Sequence, residues 1–288
     1  MNLFTAAETA WRRRGPTRDA IRAFGVRDES LRRLPGGQGR AWTDGRLVLK
    51  PVGCVPEHTW VCDVYAAWAA DDEIRVPEPV RPRSSEADGS GWTVDGWGAH
   101  VFLIGRELEL PREVESVRTT SDAFHRLVGQ LPRPAFMDVR DDPWALGDRI
   151  AWEGAEPEGD APTLAVIARL QAALVPVASK SQVIHGDILP NVLLADGRAP
   201  AVIDWPPYFR PVGMANAIAV TDAVTFRAAP LALLDDWAQG DDWNQLLVRA
   251  LLYRLGPTGY IAARNRLMGS LVTHVERVQP VVDAVLDR

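Results

Sequence analysis

The segment His185, Gly186, Asp187, Ile188, Leu189, Pro190, Asn191 is followed, thirteen positions after the asparagine, by Ile203, Asp204, Trp205. Carboxylate and amide oxygens are hard donors of the kind that suit magnesium, and a carboxylate beside a hydroxyl can accept its proton. Upstream, Gly36, Gly37 and Gly39 lie between two predicted strands, where absent side chains would let backbone N–H groups approach phosphate. No Walker motif is present. Lys50 ends the apolar run Leu47–Leu49, and it is one of only two lysines among 32 basic residues, so a compact ammonium stands where this chain would ordinarily place an arginine. Cradle, cation, oxygen ligands and a carboxylate for the attacking group are the parts that phosphoryl transfer requires. Each also has a plainer reading: Pro35–Gly39 as a β-turn, Lys50 as a surface residue. A carboxylate on the following helix would orient Lys50. Helical spacing allows either Glu57 or Asp63, with Glu57 preferred.

The elements that must position these residues are read from periodicity and punctuation. Thr17–Phe24 reads as a helical appendage to the strands after it. From Leu31 short apolar runs alternate with glycine: a glycine loop, a strand at Ala41–Thr43, a tight turn at Asp44–Gly45 and a strand at Leu47–Lys50. Glu57–Ala70 is a predicted helix, and Trp92–Asp95 and His100–Ile104 are predicted strands. Beyond Gly105 helical spacing dominates, at Ser121–Gln130 and at Thr163–Val175, with Asp242–Leu255 closed by Gly256 and Pro257. Between them, strands at Val192–Leu194 and Ala201–Ile203 flank an Asp196–Gly197 turn. The expected architecture is α+β, with a small β-rich unit at 1–104 and a larger, mainly helical unit at 105–288.

Composition excludes several classes. The formal charge of −6 and pI near 5.5 give no electrostatic footprint for nucleic acid. Cys54 and Cys62 are too few and too weakly patterned for a disulfide framework or a zinc site. No apolar run reaches the length of a membrane span, and the first ten residues carry no secretory pattern, so a cytoplasmic protein is expected.

The HGD triplet followed by asparagine, and the apolar strand ending in IDW, resemble the catalytic loop and metal-binding segment of aminoglycoside phosphotransferases and their protein-kinase-like relatives. The order of parts is similar too: glycine loop, strand lysine, helix, hinge, then a helix with a Leu/His pair such as His125 and Leu127. The resemblance spans Leu31–Thr225, and the phrases PGGQGRAW, LVLKP, LPRPAF and AVIDWPPYFRP are closest to a small bacterial branch of that superfamily. It implies a bilobal protein-kinase-like fold and ATP-dependent, magnesium-assisted transfer of the γ-phosphoryl group to a hydroxyl of a small molecule. Asp187 would be the catalytic base or hydroxyl-orienting carboxylate, and Asn191 and Asp204 the magnesium ligands. Lys50 would bind the α- and β-phosphates. Adenine would lie against the strand-to-hinge segment that contains Val101 and Leu103. His185 would be a hydrogen-bonded structural residue.

The family usually places four residues between the aspartate and the asparagine, whereas Ile188, Leu189 and Pro190 are three. A tighter turn, favoured by the fixed φ of Pro190, would let Asp187, Asn191 and Asp204 converge opposite Lys50. Two other functions fit the same residues: a nucleotide-binding pseudokinase with a regulatory role, and a small-molecule binder that uses the cleft without nucleotide. Asp235, Asp236, Asp241 and Asp242 read as helix-start carboxylates or an acidic acceptor pocket, and Trp205, Tyr208 and Phe209 as acceptor stacking or core.

Overall fold

The computed structural model describes residues 15–35, 39–68, 73–83, 89, 91–265 and 268–288, with the side chains of 263–273 outside the description. Its first elements are helix α1 (Arg18–Ala23), strands β1 (Arg32–Arg33), β2 (Trp42–Thr43) and β3 (Leu47–Pro51), helix α2 (Val55–Ala66), and strands β4 (Pro79–Val80), β5 (Thr93–Val94) and β6 (Trp97–Val101). These strands form one antiparallel sheet in the order β1-β2-β3-β6-β4, with β5 paired to β6. The β2–β3 turn is set by Asp44, whose Oδ1 accepts from the N–H groups of Arg46 and Leu47 at 2.8 Å each, and by Gly45 at φ +86°. Helix α1 is no appendage. Its Ala20 and Ala23, with Phe24, pack into the small core against Leu47, Leu49, Val94, Trp97 and Ala99, because a six-stranded sheet needs an apolar cover on the face that α2 leaves open.

After strand β7 (Arg106–Glu107) come helices α3 (Val114–Val128), α4 (Pro143–Glu153) and α5 (Ala161–Ala172). Strands β8 (Ser181–His185), β9 (Val192–Leu194), β10 (Ala201–Val202) and β11 (Pro207–Pro211) come next, then helices α6 (Gly213–Phe226), α7 (Leu233–Asp236), α8 (Trp243–Asn265) and α9 (Met268–Leu286). The strands make two ribbons, β10-β9-β7 and β11-β8. Their inner faces and those of the helices share one large core that also takes in Val61 and Tyr65 of α2. A small sheet-rich lobe beside a larger helical one is the kinase-like α+β arrangement. Among the described residues no helix is long and apolar enough to cross a membrane.

Helix α8 runs through Gly256 and Pro257, which the sequence marks as its end. Tertiary packing overrides the stop signal. Gly147 of α4 lies so close to α8 that a Cβ there would come within 2.6 Å of Tyr253 O and of the Pro257 ring, and a Cβ at Gly256 would meet Ile150 at 2.7 Å. Pro257 brings no N–H to the turn that includes Tyr253 O, and Thr258 Oγ1 donates instead to Arg254 O at 3.0 Å. Gly147→Ala should therefore cost about 1–3 kcal/mol in urea unfolding through overpacking, despite the higher helix propensity of alanine. An unchanged midpoint would show that the crossing relaxes freely.

Candidate active site

The loop after β8 is built from the backbone outward. His125 of α3 and His185 at the end of β8 are both buried. His125 donates from Nδ1 to Ser121 O at 2.6 Å and accepts the His185 N–H at Nε2, 3.0 Å away. His185 in turn accepts the Asp187 N–H at Nδ1 (3.1 Å) and donates from Nε2 to Ile203 O (3.2 Å). This pattern requires two neutral imidazoles, and burial supplies them by pushing His125 down to about 3 and His185 to about 4. Gly186 is required between His185 and Asp187, since any side chain would collide with the Tyr208 ring on the paired strand.

The missing loop residue is absorbed by a single 3-10 turn, Leu189–Asn191, in which the Asn191 N–H bonds Ile188 O at 3.0 Å. Ile188 and Leu189 are buried and anchor the turn to the core. Asn191, only 8% exposed, donates from Nδ2 to Asp187 O at 2.7 Å and approaches Asp187 Oδ2 at 3.5 Å. Its carbonyl accepts the Ile203 N–H at 2.9 Å, which sets Asn191 beside the strand that ends in Asp204. Asp204 takes φ +51°, a left-handed conformation that non-glycine residues rarely hold without a local reason, and its 64%-exposed carboxylate meets Lys50 Nζ at 3.0 Å. That ammonium, with a smaller contribution from Arg40, keeps the Asp204 carboxyl below its usual range. These contacts bring Asp187, Asn191, Asp204 and Lys50 together, with Lys50 reaching them from β3.

The model of the phosphotransferase enzyme family matches residues 62–208, just over half of the chain. The chain belongs to this family. Among solved structures, this phosphotransferase is similar to a thermostable mutant of the aminoglycoside phosphotransferase APH(4)-Ia in ternary complex with AMP-PNP and hygromycin B. That likeness has 17% identity and a TM-score of 0.61, over 92% of this chain and 97% of that one. It is also similar to an aminoglycoside phosphotransferase from Alicyclobacillus acidocaldarius (17%, 0.52, covering 94% and 96%). A choline/ethanolamine kinase family protein from Mesorhizobium loti compares at 16% and 0.57, covering 90% and 92%. At these identities the likeness shows the shared fold. No curated protein matches in sequence.

Other expected residues of the phosphotransferase are placed differently. Glu57 does not hold Lys50. It pairs with Arg140 Nε at 3.1 Å, because its position in the first turn of α2 turns it toward the buried guanidinium, while Lys50 reaches Asp204 across the cleft. Asp63 accepts from Trp92 Nε1 at 2.9 Å. Gly39 has the left-handed φ of +61° that a tight glycine turn requires, whereas Gly36 and Gly37 lie outside the described residues. The Val101 N–H is taken up by Glu78 O at 2.8 Å, with Leu103 two residues on, in the segment leading to the larger lobe. Trp205 and Tyr208 are core residues: Trp205 packs on Phe124, Trp60 and Tyr65 with ring centroids 5.1–5.7 Å away. Asp235 pairs with Arg288 at 2.6 Å, and Asp242 accepts from Ser179 N at 2.7 Å.

Three site-facing residues carried no sequence signal: Arg140, Asp222 and Arg254. Arg140 binds Glu57, Asp142 and the hydroxyl of Tyr208. Arg254 of α8 reaches both Asp187 Oδ1 and Asp222 Oδ2 at 2.5 Å. Apart from Arg140 with its neighbour Asp142, the contacts join residues remote in sequence.

Burial moves the Glu57 carboxyl from its ordinary value near 4.5 up to about 7, and Arg140 only partly opposes this. A carboxyl raised in the folded state contributes stability that is complete below about 4.5 and is lost as pH climbs through about 7. The melting temperature of the wild type relative to Glu57→Gln should therefore fall by a few degrees between pH 5 and pH 8.5. A pH-independent difference would show that Arg140 keeps Glu57 ionised throughout.

Proposed function

We propose that this chain transfers the γ-phosphoryl group of ATP to a hydroxyl of a small molecule. The observation that carries the reading is the convergence of Asp187, Asn191 and Asp204 on one cleft wall with Lys50 opposite. In this reading Asp187 orients the acceptor hydroxyl and takes its proton, and Lys50 exchanges Asp204 for the phosphate oxygens. With its Nδ2 engaged by the Asp187 carbonyl, Asn191 has its amide oxygen to offer a cation, next to the Asp204 carboxylate. Two hard oxygen donors fit magnesium, which completes its shell with phosphate oxygens and water. The metal would neutralise charge developing between the β- and γ-phosphates. Among the described residues no group of three His, Cys, Asp or Glu side chains is set to hold a metal.

The adenine would lie against Val101 and Leu103, with Leu103 the better placed because the Val101 N–H is already used. A lobe boundary at 104/105 is supported by the pairing of β7 with β9 immediately afterwards. The AMP-PNP and hygromycin B held by the first structural relative, and the choline/ethanolamine kinase family of the third, support a nucleotide donor and a small hydroxylated acceptor.

A second reading, nucleotide binding without transfer, is favoured by the engagement of Asp187 with Arg254. The two separate by assay. Saturating Mg-ATP should raise the melting temperature, and ADP release against a panel of aminoglycosides, amino alcohols and sugars should identify an acceptor. Asp187→Asn should keep the thermal shift and lose about 10²-fold or more in kcat. A thermal shift with no turnover on any acceptor supports the pseudokinase, and no shift at all removes both readings.

A further inference from the structure

Arg254 lies 67 residues beyond Asp187 on helix α8, and its side chain is largely buried. It holds Asp222 with Nε to Oδ1 at 3.0 Å and Nη2 to Oδ2 at 2.5 Å. Asp222, on α6, is itself buried. That pairing already balances the guanidinium, yet Nη2 also donates to Asp187 Oδ1 at 2.5 Å. Asp187 is 37% exposed on its side chain, so it has water available and needs no buried cation for its own solvation. A buried ion pair is moreover a weak source of stability compared with apolar residues of similar volume. Stability alone is therefore a poor account of a guanidinium directed at an open carboxylate.

The other bonds of Asp187 show what the contact does. Its N–H is held by His185, its carbonyl by Asn191 Nδ2, and Oδ1 by Arg254. Among the described residues, Oδ2 has only the 3.5 Å approach of Asn191. We propose that Arg254, braced by Asp222, is a positioning residue that fixes the carboxylate plane of Asp187 and leaves Oδ2 as the oxygen presented to the acceptor hydroxyl. The inference rests on the phosphotransferase reading above. Phosphoryl transfer draws mainly on positioning, so a fixed carboxylate matters more than a strongly basic one. The brace spans three elements, the β8–β9 loop, α6 and α8, which makes the aim of Oδ2 a property of the larger lobe's core.

The test uses the full chain with Mg-ATP and the most active acceptor of the panel, with water as the minimal acceptor, and follows ADP release. Arg254→Met should lower kcat about 10²-fold while leaving KM for ATP within about twofold. Introduced into Asp187→Asn, the same change should cost no more than about twofold, since the group it aims is already lost. Arg254→Met leaves Asp222 buried without its partner, so Arg254→Met/Asp222→Asn serves as the folded control and should show the same kcat loss. A folded variant with kcat within about twofold of wild type overturns the inference. So does a full 10²-fold loss in the Asp187→Asn background, which would mean that Arg254 acts elsewhere. If Asp187→Asn itself turns over at the wild-type rate, the functional reading fails first; if it is slow while Arg254→Met is normal, the inference alone fails.

Discussion

The His185 imidazole accepts the Asp187 N–H on one side and donates to the Ile203 carbonyl on the other, and its own backbone N–H is held by His125. These bonds set the separation between the loop that carries Asp187 and the strand that ends in Asp204. They also require the ring to be neutral, which burial favours, with its proton on Nε2 toward the Ile203 carbonyl. A protonated His185 would lose the acceptor for Asp187, and a flipped tautomer would set a donor against a donor. The left-handed turn at Asp204 is then over-determined by neighbours on both sides, which is how strained backbone persists at such sites.

Around this brace the charges divide by depth. Lys50 and Asp204 meet in the open cleft, where water and salt weaken the pair and other ions compete for either partner. Arg140 with Glu57, and Arg254 with Asp222, lie beneath the surface, where losing one partner strands the other. The outer pair is thus suited to exchange and the inner pairs to holding shape. Tyr208 serves both levels: its ring bars a side chain at Gly186, and its hydroxyl accepts from Arg140.

The parts legible in the sequence were those fixed by short spacing. Asn191 and Asp204 flank a hairpin whose turn is written as Asp196–Gly197, so their proximity can be read from strand pairing alone. Lys50 ends a strand with its own Asp–Gly turn, Asp44–Gly45, and its position could be read in the same way. The partner of Glu57 could not, because helical periodicity gives the face of α2 and not the identity of what approaches it. Arg254 meets Asp187 from another helix and is itself held by Asp222 of a third element, and no local pattern relates their numbers. Gly256–Pro257 misled for the opposite reason: its local meaning as a stop is strong, but the close approach of Gly147 makes a different use of the same residues.

Helix α2 belongs to the small lobe by sequence, yet Val61 and Tyr65 lie in the large core, and Trp60 packs on both Trp205 and Phe136. The segment after α2 is stitched to the same body, with the Arg75 N–H on Pro200 O and the Arg75 carbonyl accepting from Val202 N–H, both at 2.9 Å. Helix α2 therefore joins the two bodies, packing in the large core while Asp63 and Cys62 reach Trp92 and His100 of the sheet. Lys50 is carried by the sheet and Glu57 by a helix seated on Arg140, so the separation of these two residues is set by how the sheet packs on α2.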